Sequence, residues 1–183
     1  MSVDWGEVAA LAAALNGLAV VGSVLLILAQ LRRQDQEQFV SGTGAMFEIW
    51  VDDDFQQAVQ WVLYAMSERT WHAFVAANRG KYGERAFIRV GGYFDRIGYL
   101  VTHGLLGGQD RLLLDTLAGP AIAVWQKIEP LVLEARLVEN STMFQDFQRM
   151  LPECYECYVP GQPVPARVVE EAEEAARLSG DRE

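Results

Sequence analysis

The sequence predicts an all-α protein, with a single N-terminal transmembrane helix followed by a cytoplasmic helical bundle of about five to seven helices. No charged residue occurs from Val8 to Leu31. Later segments repeat apolar residues at helical spacing, and no stretch alternates long enough to form a sheet. We therefore expect five segments: a short extracytoplasmic N-terminus (1–7), the transmembrane helix (8–31), a juxtamembrane stalk (32–44), a helical domain (45–151) and a Pro-rich acidic tail (152–183).

Composition limits the classes of function. The 183 residues are 51% hydrophobic and 22% charged, which is typical of one folded domain and not of a disordered chain. The net charge of −10 repels phosphate backbones, so we expect no nucleic-acid partner. Two cysteines cannot form a disulfide framework.

The apolar segment is long enough to cross a bilayer. As a helix, 8–31 would be about 36 Å long, against a hydrocarbon core of about 30 Å. The preceding residues include Asp4 and Glu7 and no basic residue, unlike the basic start of a signal peptide. Arg32 and Arg33 follow directly, so the positive-inside rule predicts an external N-terminus and a cytoplasmic main domain.

One side of this segment carries small and polar residues. They are Ala9, Ala12, Asn16, Ala19 and Ser23. Small residues let helices approach closely, and a polar side chain in the bilayer prefers a protein partner to lipid. The stripe predicts a face for a partner helix of an integral membrane subunit, with lipid on the opposite side. The alternative is an anchor that contacts no other protein.

The remaining helices follow in order from spacing and from cap residues. We expect them at Ala45–Val51, Phe55–Met66, Thr70–Ala77, Glu84–His103, Leu112–Leu117, Pro120–Val138 and from Ser141 or Thr142 to Leu151, with a marginal helix at Arg167–Leu178. Asp52, Asp53 and Asp54 suit the positive start of a helix better than a metal site, because adjacent carboxylates diverge. Gly119-Pro120 is expected to separate two helices.

The longest periodic stretch, Glu84–His103, has three glycines that lower its helix propensity. Gly91, Gly92 and Gly98 are explained if another helix packs closely there. His103 stands in the last turn, where its imidazole meets the negative helix end. We expect a capping role for it.

Several motifs in this order resemble an uncharacterised bacterial family. They are the sequence Gln30-Leu31-Arg32-Arg33, the stretch Tyr93–Leu106, the series Trp125, Pro130 and Arg136, and the closing aromatics Phe144 and Phe147. The resemblance covers roughly 18–151. It implies one N-terminal span in the bacterial inner membrane and a helical cytoplasmic domain, and it implies no activity.

Asp95 and Arg136 are the main candidates for a polar site. An acid in a helical core needs a partner, and the resemblance makes Arg136 a candidate for a structural ion pair. The alternative is a pocket near the two residues, with Asp95 as a general base. The sequence offers no nucleophile, base and orienting group together, so we expect no catalytic residue, no cofactor and no metal.

Cys154-Tyr-Glu-Cys157 is the one motif with further chemical reach. A CxxC can be a redox pair or half of a zinc site. His72 and His103, the chain's two histidines, are distant from it, and a βαβ context is lacking. Inert thiols are the favoured interpretation.

These observations favour a non-catalytic accessory, assembly or stabilising subunit of a larger integral membrane complex, such as a photosynthetic or respiratory one. The alternatives are a membrane-tethered enzyme or ligand sensor near Asp95 and Arg136, or a thiol or metal module at Cys154 and Cys157. Self-association stays open. Trp50, Trp61 and Trp71 are candidates for an interface anchor, and the sequence does not choose among them.

Overall fold

The computed structural model describes residues 44–106 and 110–180, and these form eight helices and no strand. The chain divides into two compact units, Met1–Ala45 and Met46–Glu183, of which the second holds the described helical domain. The helices are α1 (44–51), α2 (Asp53–Gln60), α3 (Trp71–Asn78), α4 (Tyr82–Thr102), α5 (Asp110–Val138), α6 (Gln145–Arg149), α7 (Leu151–Tyr158) and α8 (Ala166–Gly180). A π-helical segment, Trp61–Ala65, continues α2.

The two long helices, α4 and α5, organise the domain. α2 and α6 pack on α4, whereas α7 packs along α5. α3 contacts both long helices, and α8 lies across α6 and α7. Each end is defined by local chemistry: the Asp52 carboxylate accepts from the Phe55 amide at 2.8 Å to begin α2, and the Thr70 hydroxyl accepts from the Ala73 amide at 3.3 Å to begin α3.

The core is rich in aromatic rings that connect α3, α4, α5 and α6. Phe74 and Phe87 lie 4.8 Å apart between ring centroids, and Phe87 continues to Phe144 at 5.5 Å. Phe147 contacts Phe94 at 4.9 Å and Trp125 at 5.1 Å. Such pairs contribute about 0.5–1.5 kcal/mol each beyond the area that they bury.

The predicted fold class needs correction. None of the helices in the two described ranges is long and apolar enough to cross a membrane. The predicted transmembrane helix at 8–31, with its partner-helix face of Ala9, Ala12, Asn16, Ala19 and Ser23, lies outside the described residues. The all-α architecture is confirmed, but the eight described helices exceed the five to seven expected.

The predicted helix boundaries are also wrong in two places. α5 is one helix of 29 residues with Pro120 and Pro130 inside it, where the sequence predicted a break at Gly119-Pro120. The predicted last core helix is instead divided into α6 and α7. Phe144 has a φ of 51° just before α6, and α7 crosses the expected start of the tail at 152.

Candidate functional site

Asp95 on α4 caps the short helix α6. Its Oδ1 atom accepts hydrogen bonds from the backbone amides of Asp146 at 2.9 Å and Phe147 at 3.0 Å. Phe144, the residue in front of α6, offers no side-chain acceptor. The first amides of a helix lack partners within the helix, so a carboxylate from another helix supplies the acceptor that the local sequence lacks.

Gly98 allows this contact. It lies on α4 one turn after Asp95, and a Cβ atom at this position would be 2.1 Å from the Asp146 carbonyl oxygen. At Gly91, one turn before Asp95, a Cβ would be 2.2 Å from the Phe144 ring. The two glycines let the segment around α6 approach the α4 backbone.

Arg136 on α5 holds the same segment from the other side. Its Nε donates to the Met143 carbonyl oxygen at 2.8 Å, and Nη1 donates to Oε1 of Gln148. Within the described residues, Nη2 is buried without a hydrogen-bond acceptor. Arg136 therefore fixes the turn that enters α6 and the helix itself.

The expected direct ion pair between Asp95 and Arg136 is replaced by contacts with this shared segment. None of the salt bridges among the described residues joins the two side chains. They still interact at longer range. Burial raises the pKa of Asp95, which the amide of Phe147 and the charge of Arg136 partly oppose. Burial lowers the pKa of Arg136, and the charges of Asp95 and Glu174 oppose that shift.

This arrangement is suited to holding backbone in place. Asp95 acts as an acceptor for two amides, and Arg136 as a donor to a carbonyl and an amide side chain. The raised pKa of Asp95 comes first from burial, as in many catalytic acids, but the chemistry that its contacts provide is helix capping.

His103 also contacts backbone. Its Nδ1 lies 2.9 Å from the Tyr99 carbonyl oxygen in the last turn of α4, as the capping interpretation expects. Gly104 follows with a φ of 62°, a conformation that glycine adopts without strain and that ends the helix.

The CxxC motif lies on α7, with Cys154 buried and Cys157 half-buried. Burial raises the pKa of both thiols, with a contribution from neighbouring carboxylates. Because the thiolate is the reactive form, this environment disfavours nucleophilic or redox chemistry. No group of three or more metal-ligating side chains suited to a metal ion occurs among residues 44–106 and 110–180.

We expect the two thiols to differ sharply in access. Treatment of the native full chain with iodoacetamide should modify Cys157 first and Cys154 only after unfolding, since Cys154 has no exposed surface. Both cysteines lie in the tryptic peptide 150–167, so fragmentation of this peptide by tandem mass spectrometry across a time course measures which thiol is modified. Equal rates at both positions would contradict the position of α7.

An aromatic surface, which we call the aromatic shelf, lies where the π-helical segment meets the start of α4. Trp61 packs edge-on against Tyr82, with ring centroids 6.3 Å apart, and Tyr64 is 83% exposed. Gly83 lies under Trp61: a Cβ there would be 2.6 Å from the indole ring. The open cleft of about 480 Å³ is lined by Gln57, Gln60, Trp61, Tyr64, Ala65 and Tyr82, all of them uncharged.

Sequence reasoning identified Trp61 only as one of three candidate anchors. Trp71 is buried, and Trp50 packs against Phe55, Tyr93 and Phe94. The shelf depends on the extra residue per turn in the π-helical segment, which helical periodicity does not predict.

A family model described as a domain of unknown function (DUF4760) matches residues 9–152. The chain belongs to this family. No curated protein and no solved structure matches the chain. The predicted kinship with an uncharacterised family is thus confirmed, whereas its transmembrane helix has no support in the described helices. The DUF4760 region includes the aromatic shelf, Asp95, Arg136 and α6, and it ends before most of α7 and all of α8.

Proposed function

We propose that this DUF4760 protein is a non-catalytic accessory or assembly subunit that binds a partner protein through the aromatic shelf. The proposal keeps the accessory role expected from the sequence, without a transmembrane helix as its docking element. The exposed Tyr64 on a π-helical segment, beside Trp61 and Tyr82, is the observation that carries it.

The chemistry of the shelf favours protein binding. Tyrosine and tryptophan are enriched at interfaces because their rigid rings bury much area while ordering few torsions. Trp61 is held in place over Gly83, so binding would not have to order this ring. The lining residues are uncharged in a chain of net charge −10, which favours an uncharged segment of the partner.

The polar candidates support the same conclusion. The hydrogen bonds of the Asp95 and Arg136 side chains go to the turn before α6 and to α6 itself. An enzyme or sensor centred on this pair is the weaker proposal, because these contacts stabilise the fold. A thiol or metal module is disfavoured by the burial of Cys154.

Site-specific photo-crosslinking tests the proposal. Benzoylphenylalanine replaces Tyr64 in cells that produce the full chain, and a second strain carries it in place of Tyr99, which is 47% exposed at the far end of α4. We expect a discrete adduct with another protein from position 64 and none from position 99. Adducts of equal yield from both positions, or none from position 64, would refute the shelf as a binding site.

A conventional substitution provides an independent measurement. Tyr64→Ala removes an exposed ring, so we expect a change in unfolding free energy within about 0.5 kcal/mol. The adduct partner identified at position 64 should copurify at least about tenfold less with this variant, as for a loss of 1.4 kcal/mol at an interface. Undiminished copurification would count against the proposal.

A further inference from the structure

Helix α8 covers a face of the domain that is built from α5, α6 and α7. We call it the α8-binding face and define it by Glu129, Arg136 and Gln145 together with the cleft residues Trp125, Leu151 and Tyr155. The Gln145 side-chain amide donates to the Ala175 carbonyl oxygen of α8, and Arg167 of α8 pairs with Glu129. Glu174 of α8 raises the pKa of Arg136 through its charge, so it too lies near this face.

The contact between α8 and this face is small and incompletely packed. Ala172 and Ala175 are the buried residues of α8 within 166–177, and alanine contributes little apolar area. A cleft of about 200 Å³ remains between the first turn of α8 and the neighbouring helices α5 and α7. The ion pairs of Arg167 are exposed and therefore weak. An isolated helix of this length is only marginally stable in water, so α8 becomes helical as it docks on the face.

The family boundary separates most of this face from the helix that covers it. Glu129, Arg136 and Gln145 lie inside the matched region of 9–152, and α8 lies outside it. With α8 in place, Gln145 is only 6% exposed, and its side-chain amide donates to a carbonyl oxygen of α8. The matched region of this chain thus supplies polar groups that bind a helix lying outside that region.

We propose that the α8-binding face is a helix-docking site that α8 occupies as an intramolecular ligand, and that an amphipathic acidic helix of another protein displaces it. α8 provides the template for this partner. The partner helix has short apolar residues four and three positions apart, as at Val168, Ala172 and Ala175, and a carboxylate at the position of Glu174. This site uses different residues from the aromatic shelf and does not depend on it.

A peptide that copies residues 164–180, labelled with fluorescein, is the probe for this site. In the full chain, Ala175→Glu places a charge at a position that is 1% exposed and should release α8 from its face. Val169→Glu makes the same charge change at an exposed position of α8 and serves as the control. Fluorescence polarisation should show the peptide binding the Ala175→Glu chain about tenfold or more tightly than the wild type or the control, because intramolecular competition is removed.

A second measurement separates a displaceable helix from a structural one. Amide hydrogen exchange of the wild-type chain should be faster throughout α8 than in the centre of α4, since α8 opens without global unfolding. Equal protection of α8 and α4, loss of cooperative unfolding in Ala175→Glu, or failure of the peptide to bind that variant would each overturn the proposal. A peptide that itself carries Ala175→Glu should not bind.

Discussion

Gly98→Ala should lower the free energy of unfolding by about 3 kcal/mol or more, the upper end of the usual cost of overpacking. The added Cβ would lie 2.1 Å from the Asp146 carbonyl oxygen and 2.8 Å from the Phe147 amide nitrogen. Both are backbone atoms of α6, so no side-chain rotation relieves the clash. α6 would have to move away from α4, which also stretches the hydrogen bonds from its amides to Asp95.

Gly92 provides a matched control on the same helix. No neighbouring atom lies within 4 Å of a Cβ placed there, and the residue is exposed. Gly92→Ala should therefore raise the free energy of unfolding by about 0.5–1 kcal/mol, the usual gain from replacing glycine in a helix. Urea unfolding of the full chain, followed by circular dichroism, measures both variants. Equal effects from the two substitutions would contradict the packing of α6 on α4.

The contrast between these glycines shows how far the sequence predicts the structure. The buried residues Phe87, Val90, Phe94 and Ile97 of α4 recur at the helical spacing that predicted this helix, because an amphipathic helix has one apolar side. The same reasoning grouped Gly92 with Gly91 and Gly98 as sites of close packing. Gly92 is exposed, and composition alone does not distinguish a glycine under a neighbouring helix from one that faces water.

Helix ends that depend on distant residues were not predictable from local sequence. α6 begins after Phe144 because Asp95, about fifty positions earlier, accepts from its first amides. The missing break at Gly119-Pro120 has a similar cause: α7 packs along α5, and the Tyr158 ring lies 2.7 Å from where a Cβ of Gly119 would be. Tertiary packing here outweighs the hydrogen bond that proline removes.

The sequence pointed to the residues of the candidate site, but it did not predict the contacts that they make. Asp95 and Arg136 do meet at one place in the fold, but each contacts the segment of residues 143–148 and not the other side chain. An acid and a base predicted to be near each other suggest an ion pair. The sequence contains no signal for the alternative, in which backbone groups of a third element lie between them.

Asp95 substitutions distinguish a cap from an ion pair. Asp95→Ala should lower the free energy of unfolding by about 2 kcal/mol, the upper end for loss of a cap, because two backbone amides lose their acceptor. Asp95→Asn keeps an oxygen at the same position, and asparagine caps helices as well as aspartate. We expect it to stay within about 1 kcal/mol of the wild type at pH 7. A loss with Asn as large as with Ala would instead favour an essential charge interaction with Arg136.

The pH dependence of stability, compared between the wild type and Asp95→Asn, tests the environment of Asp95. Burial raises its pKa in the folded chain above the ordinary value of 3.8, so the folded state holds the proton more tightly than the unfolded state. The stabilisation from this proton is complete below pH 3.8 and is lost as the pH rises through the raised folded pKa. Asp95→Asn lacks this titration. The stability of the wild type relative to Asp95→Asn should therefore fall with increasing pH across that window and then level off, as measured by urea unfolding at a series of pH values. A relative stability that rises with pH would mean that the amides of α6 and Arg136 outweigh burial and hold the carboxylate in its charged form.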